Sequence, residues 1–189
     1  MNGLNKRTLS VYLLAIFVAG VAAGLALGYS SGRKTEAQPP APREMADHIQ
    51  SRLEQRLGLT PEEVATLHAG AAYYVDFIGF TPGLPYLSGL PEALHIPRLE
   101  QPRVKTPPGS VSIGGMQCCI YSVESPGGFW VLGRTPVPLY DPSAADPILL
   151  RAGDHVRFRR IDRSVFVAII TVVAAGSYRP IIEAAAAGS

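Results

Sequence analysis

The chain has 189 residues, room for one domain of about 100–150 residues plus extensions. Hydrophobic residues at 47% and charged residues at 17% exclude a chain that is disordered throughout. A net charge of +2 is too small to argue for a nucleic-acid partner.

Residues 1–8 are a short basic flank with Lys6 and Arg7. Residues 9–29, from Leu9 to Tyr29, are apolar apart from Ser10. A run of about 20 such residues is long enough to cross a bilayer as one helix. Arg33 and Lys34 follow it, so the flanking side-chain charges tie, and the free amino terminus favours N-in, C-out. An uncleaved single-pass anchor is expected, with signal cleavage near the small residues around Gly28 as the alternative. Gly20, Gly24 and Gly28 lie four apart, a spacing that lets membrane helices approach closely. Residues 30–43 are a polar, Pro-rich linker.

Residues 44–58 place Met45, Ile49, Leu53 and Leu57 four apart, which predicts a narrow amphipathic helix ended by Gly58. Residues 59–182 then read as one domain. Thr60-Pro61-Glu62-Glu63 is a helix start, with Thr60 as cap, Pro61 in the first turn and Glu63 completing a capping box. That helix is expected to run to about His68. Beyond it, short apolar runs alternate with Pro-Gly, Gly-Ser and Gly-Gly turns, the rhythm of short strands closing as a barrel. The strands are expected at Tyr73–Phe80, Val104, Ser110–Ile113, Cys118–Val123, Phe129–Leu132, Val137–Tyr140 and His155–Phe158. Asp162 caps an expected last helix over Ser164–Ala175, stopped by Gly176, although Val165–Val173 is β-branched enough to favour a strand. Residues 183–189 are a low-complexity tail.

The adjacent Cys118 and Cys119 are expected as two half-buried thiols on one strand, since neighbouring cysteines rarely bridge and no histidines accompany them to make a zinc site. No metal site is assigned. Neither a Walker loop nor a G-x-G-x-x-G is present.

The central stretch resembles the family that includes allophanate hydrolase subunit 1, the B subunit of 5-oxoprolinase and the sporulation kinase inhibitor, the carboxyltransferase domain also found in urea carboxylase. The residues that carry the likeness are F-I-G-F-T-P-G-L-P-Y-L-S-G-L-P from Phe77 to Pro91, Pro-Arg at Arg98 and Arg103, and P-P-G-S-V-S-I from Pro107 to Ile113. They continue with S-P-G-G-F from Ser125, G-R-T-P from Gly133 and G-D-H-V-R-F from Gly153. The resemblance implies a mainly β, cyclophilin-like β-barrel with flanking helices, preceded here by one transmembrane helix where family members carry a small α/β domain. It departs from the family at Gln117-Cys118-Cys119-Ile120-Tyr121-Ser122, where members have Gln-Thr-Gly-Ile-Tyr-Pro, and at Phe129, where they have tryptophan. The implied role is a subunit of an ATP-dependent amidohydrolase that works with a second, related C-type subunit. No ATP-binding motif lies in this chain, so ATP would enter at the level of the complex. The kinase inhibitor offers the alternative of a membrane-tethered binding module for a kinase or an envelope protein, and a fusion without activity is the third reading.

Opening a small amide calls for a carboxylate handle, donors for the oxyanion and a proton carrier. Arg98, Arg103 and Arg134, with Thr135 beside the last, are candidate handles, because a guanidinium binds both carboxylate oxygens. Each could instead tie down a loop. Gly109-Ser110 and Gly127-Gly128 could offer backbone N–H groups to an anion, or serve as plain turns. Gln117 and Tyr121, four apart on one strand face, could orient a substrate amide. No catalytic residue is assigned. His68 is expected to pack at a helix end against the barrel, and Asp76 faces outward or pairs.

Overall fold

The computed structural model describes residues 7–13 and 52–184. Its elements in chain order are β1 (Arg7–Leu13), a short helix α1 (residues 52–57), α2 (Pro61–Gly70), β2 (Ala72–Ile78), β3 (Pro85–Ser88) and β4 (Arg103–Thr106). They continue with β5 (Ser110–Gly114), β6 (Gln117–Ile120), β7 (Ser125–Gly127), β8 (Trp130–Arg134), β9 (His155–Arg160), α3 (Arg163–Ala174) and β10 (Ile181–Ala184). Eight strands form one sheet in the order β10-β1-β9-β2-β3-β6-β5-β8, and β4 pairs with β7 as a separate ribbon. The architecture is mainly β with a few helices, a curled half-barrel consistent with a cyclophilin-like fold.

Side-chain alternation sets the sheet's inner face. Along β2, Tyr73 and Val75 are buried while Tyr74 and Asp76 are exposed. Leu87, Val111, Ile113, Cys118, Ile120, Trp130, Val156 and Phe158 complete that face, and Leu53 of α1 and Val64 of α2 close over it. Register shifts between Val75 and Phe77 and between Val111 and Ser112 strengthen the local twist, and so help to curl the sheet. The expected full barrel is therefore corrected: β8 and β10 end the sheet without pairing to each other among the described residues.

The helix starts follow local chemistry. The Thr60 hydroxyl accepts from the Glu63 N–H, and the Glu63 carboxylate accepts from the Thr60 N–H at 2.7 Å. Gly58, at φ +66°, ends α1 in the left-handed region, its N–H donating to the Glu54 carbonyl. Of the amphipathic stripe, Leu53 and Leu57 pack in or against the core, whereas Met45 and Ile49 lie outside the described residues. Asp162 caps α3 by accepting from the Val165 N–H. The helix forms despite its β-branched run, and no side chain on it is buried.

Two ends of the chain differ from expectation. The apolar run expected to cross a bilayer from Leu9 instead begins as strand, with β1 parallel to β9 and antiparallel to β10. Thr8-Leu9-Ser10-Val11 alternates polar with apolar, which suits a paired strand. The remainder of that run lies outside the described residues, among which no helix is long and apolar enough to cross a membrane. Ile181–Ala184, read as the domain's last residues and the start of the tail, pairs with β1 as β10. In the middle of the chain, Val137–Tyr140 forms only a single bridge, Tyr140 to Ile148.

Candidate functional site

The strands β3, β6 and β5 have a second face. On β6, Cys118 and Ile120 join the main core, while Cys119 and, just beyond the strand, Tyr121 point the other way, because side chains alternate. Both thiols are free and fully buried rather than half-buried, since each face of this strand is covered. Cys119, Tyr121, Leu84 and Phe129 form a small cluster with Tyr86 against it. The β4–β7 ribbon lies close by. The Tyr121 hydroxyl sits 2.0 Å from where a Cβ on Gly127 would be, so only glycine leaves room for the phenol there.

Phe129 is flanked by two arginines. The Arg98 guanidinium lies over its ring at 4.6 Å, and Arg103 Nη1 donates to its carbonyl at 2.6 Å. Arg103 Nη2 is buried and has no hydrogen-bond partner among the described residues. Neither guanidinium has a carboxylate partner among those residues. The Leu99 N–H donates to the Gly128 carbonyl at 2.7 Å, which pins the Arg98 loop onto the Gly127–Gly128 turn.

Charge and burial compete across this face. Burial pushes the Tyr121 phenol up to about 12, and the nearby Cys119 adds to the shift, while the Phe129 backbone N–H and Arg103 work against it. Burial also raises Cys119 and Tyr86, and in both cases the Arg98 charge pulls back. Desolvation lowers Arg103. At neutral pH the phenol therefore keeps its proton beside Arg103, while Arg98 stands over the Phe129 ring. Such an arrangement holds a carboxylate or a developing oxyanion.

The rim is aromatic. Phe77 stacks on Tyr86 at 4.6 Å, and Tyr86 meets Phe129 edge-on at 6.3 Å. In the β2–β3 loop, Phe80 is 64% exposed at φ +67°, a left-handed conformation that costs a non-glycine residue about 1 kcal/mol. The Ser122 hydroxyl beside Tyr121 donates to the Pro82 carbonyl, which ties that loop to the cluster.

Of the sequence-predicted candidates, Arg98, Arg103, Tyr121, Gly127 and Gly128 meet on this face. Gly109, Arg134 and Thr135 line a separate cleft of about 530 Å³ with Ser122, Phe166 and Ile170. Arg134 there donates to the Pro108 carbonyl, the loop tie that was its alternative role. The Gly109 N–H donates to the Tyr121 carbonyl and the Ser110 N–H to the Pro107 carbonyl, so both amides are engaged within the fold. Gln117 lies at the far end of β6, opposite Gly114, away from the Tyr121 hydroxyl. Sequence reasoning missed Cys119, Tyr86 and Phe80. The F-I-G-F-T-P-G run was the available signal for Phe80, but only pairing of β3 with β6 reveals Tyr86 beside Cys119.

His68 packs at the end of α2 against Tyr73 and Phe158, with its Nε2 3.4 Å from the Cys118 sulfur. Burial depresses the imidazole to about 3 and raises the thiol, so this Cys–His pair is held neutral and closed to solvent. Asp76 faces outward and accepts from the Ser88 hydroxyl.

Comparison with known proteins places this face within a recognised unit. The family description "Carboxyltransferase domain, subdomain C and D" matches residues 44–150. The chain belongs to this carboxyltransferase-domain family. It is 50% identical over 101 residues to the B subunit of 5-oxoprolinase from Escherichia coli O157:H7, covering 53% of this chain and 46% of that protein. Against the B subunit of 5-oxoprolinase from Bacillus subtilis (strain 168), identity is 45% over 103 residues, 54% of this chain and 43% of the relative. This carboxyltransferase-domain chain thus spans about half the length of those curated relatives. Among solved structures, a conserved uncharacterized protein of Pyrococcus horikoshii aligns at a TM-score of 0.62 and 32% identity, over 84% of this chain and 61% of that one. The K. lactis urea amidolyase shares the fold at a TM-score of 0.63 and 19% identity, over 94% of this chain and 11% of its own.

Proposed function

We propose that this chain is a subunit of an ATP-dependent amidohydrolase of the 5-oxoprolinase kind, opening the lactam of 5-oxoproline to glutamate. On this reading it acts with a second, related subunit of the C type, and that partner brings the nucleotide site. Allophanate, an open-chain relative of such a lactam, is the nearest other substrate class. One observation carries the reading. The matched residues 44–150 contain every member of the Arg98–Arg103–Tyr121–Phe129 face, where a protonated phenol and two cations gather around Phe129 and neither cation has a carboxylate partner among the described residues. In this role Arg98 and Arg103 grip the substrate carboxylate, and the Tyr121 hydroxyl donates to the amide oxygen as it gains charge.

The test is reconstitution of the full chain with the C-type subunit of a 5-oxoprolinase, following glutamate release and ATP hydrolysis. Activity that needs both 5-oxoproline and the mixture is expected. Arg98→Ala should cut kcat/KM about tenfold or more, mostly through KM, because it removes a charge-assisted contact. Gly127→Ala, which puts a methyl group on the Tyr121 hydroxyl, should lower kcat as well. A well-folded chain that supports no 5-oxoproline-dependent turnover would refute the assignment.

A further inference from the structure

Between α3 and the segment that follows β8 lies the cleft of about 530 Å³, within the range of about 300–1,000 Å³ usual for small-molecule sites. One wall is a single stripe of the helix, Phe166, Ile170 and Val173, spaced i, i+4 and i+7. The other is the Arg134–Tyr140 segment, in which Val137 and Leu139 are buried. The Pro108–Gly109 turn and residues 122–124 complete the lining. Ile170 is 44% exposed because it borders this space instead of packed core. The cleft thus offers apolar side chains on a concave surface, the usual character of a ligand site.

The polar groups around it are mostly engaged. The Gly109 N–H donates to the Tyr121 carbonyl, the Thr135 N–H to the Gly109 carbonyl and the Val137 N–H to the Thr135 hydroxyl. Pro108, Pro136 and Pro138 have no N–H to give. The Ser122 hydroxyl donates to the Pro82 carbonyl. Two lining residues carry charge, Glu124 and Arg134. Glu124 is paired with Lys105 at 2.9 Å. Arg134 has no carboxylate partner among the described residues, and its one hydrogen bond among them runs from Nη2 to the Pro108 carbonyl at 2.8 Å. That bond holds the guanidinium beside the turn, and a neutral carbonyl leaves its charge uncompensated. A guanidinium fixed in place without a counter-charge selects an anion, and its planar fork suits a carboxylate.

We propose that this cleft binds a small carboxylate with an apolar body, an aliphatic or aromatic monocarboxylic acid. The carboxylate sits on Arg134, and the body lies against the Phe166–Ile170–Val173 stripe and Val137. A ligand without the anion leaves the guanidinium uncompensated. A lactam such as 5-oxoproline is poorly matched, because its ring amide would lie against apolar side chains while the nearby donors are engaged. The site is separate from the Arg98–Tyr121 face and does not depend on the 5-oxoproline reading.

The probe is hydrocinnamate, with hydrocinnamyl alcohol as its uncharged counterpart, titrated into the full chain and followed by methyl and amide NMR. Saturable binding of hydrocinnamate is expected, with nuclear Overhauser contacts from its ring to the Ile170 and Val173 methyl groups. Arg134→Gln should weaken hydrocinnamate about tenfold or more and leave the alcohol unchanged, because it removes a charge-assisted contact. Ile170→Trp keeps Arg134 and fills the cleft, so it should abolish binding of both compounds. Position 170 is partly exposed, so the thermal midpoint of I170W should match the wild type. That variant tests the site even where loss of the Pro108 tie unsettles R134Q. The proposal is overturned if hydrocinnamate does not saturate, or if Ile170→Trp binds it as the wild type does. It is equally overturned if acid and alcohol bind alike and Arg134→Gln moves neither, or if the contacts come from the exposed Phe77 and Phe80 rings. Displacement of hydrocinnamate by 5-oxoproline would also overturn it, by making the cleft a subsite for the lactam.

Discussion

His68 shows what a single residue contributes to this molecule. Its ring is walled in by Tyr73, Phe158 and the Cys118 thiol, and its Nδ1 has no partner among the described residues. Burial takes the imidazole from 6.5 to about 3 in the folded chain. Between those values the unfolded chain binds a proton that the folded one refuses, so stability rises with pH. Its contribution is complete above about 6.5 and drains away as pH falls towards 3, at roughly 1.4 kcal/mol per unit. Denaturant melts between pH ~6.5 and ~5, above the carboxylate range, should show this slope, and His68→Asn should flatten it. An equal slope in both proteins would mean that His68 is protonated in the fold. That His68 packs at a helix end was legible from its position after T-P-E-E. Its contact with Cys118 was not, because the two are fifty residues apart and meet only through sheet pairing.

At the scale of elements, the signals that could be read were those closed within a few residues. Thr60, Pro61 and Glu63 announce α2 because every partner of the capping box lies within one turn. Thr60→Ala should cost about 1 kcal/mol, seen as a lower unfolding midpoint with an unchanged denaturant slope. A stability unchanged by that substitution would show that packing of Val64 and His68, not the cap, sets the helix start. Asp162 marks α3 in the same way and overrides the β-branched run that follows. Strands with partners far away were less legible. β3 hides in a Pro-Gly-rich run, and β7 consists of Ser125-Pro126-Gly127, which by composition reads as a turn. The candidate face is partly legible for the same reason. Its arginines and glycines stand in local motifs, whereas Tyr86, Cys119 and the fit of Tyr121 over Gly127 depend on strands brought together across the sheet.

The whole molecule is bound together through its ends. Strand β1 lies between β9 and β10, so residues near position 10 hold together two strands from beyond residue 154. No reading of local pattern finds this, because β1 merges into the apolar run after Leu13 and β10 into an alanine-rich tail. Among the described side chains, the core face is built from β2, β3, β5, β6, β8 and β9 with α1 and α2. The two regions should therefore open separately. Ser10 pairs with Arg157 on one side and Ile181 on the other. Proline there removes a donor from an interior strand and should cost the β1 pairings about 2 kcal/mol. Amide exchange is the measurement: in Ser10→Pro, β10 should exchange freely and β9 faster, while β5 and β6 keep their protection. If β5 and β6 lose protection in step with β10, the sheet unfolds as one unit. The end of the molecule that carries α3 would then be as stable as the face that carries Arg98 and Tyr121.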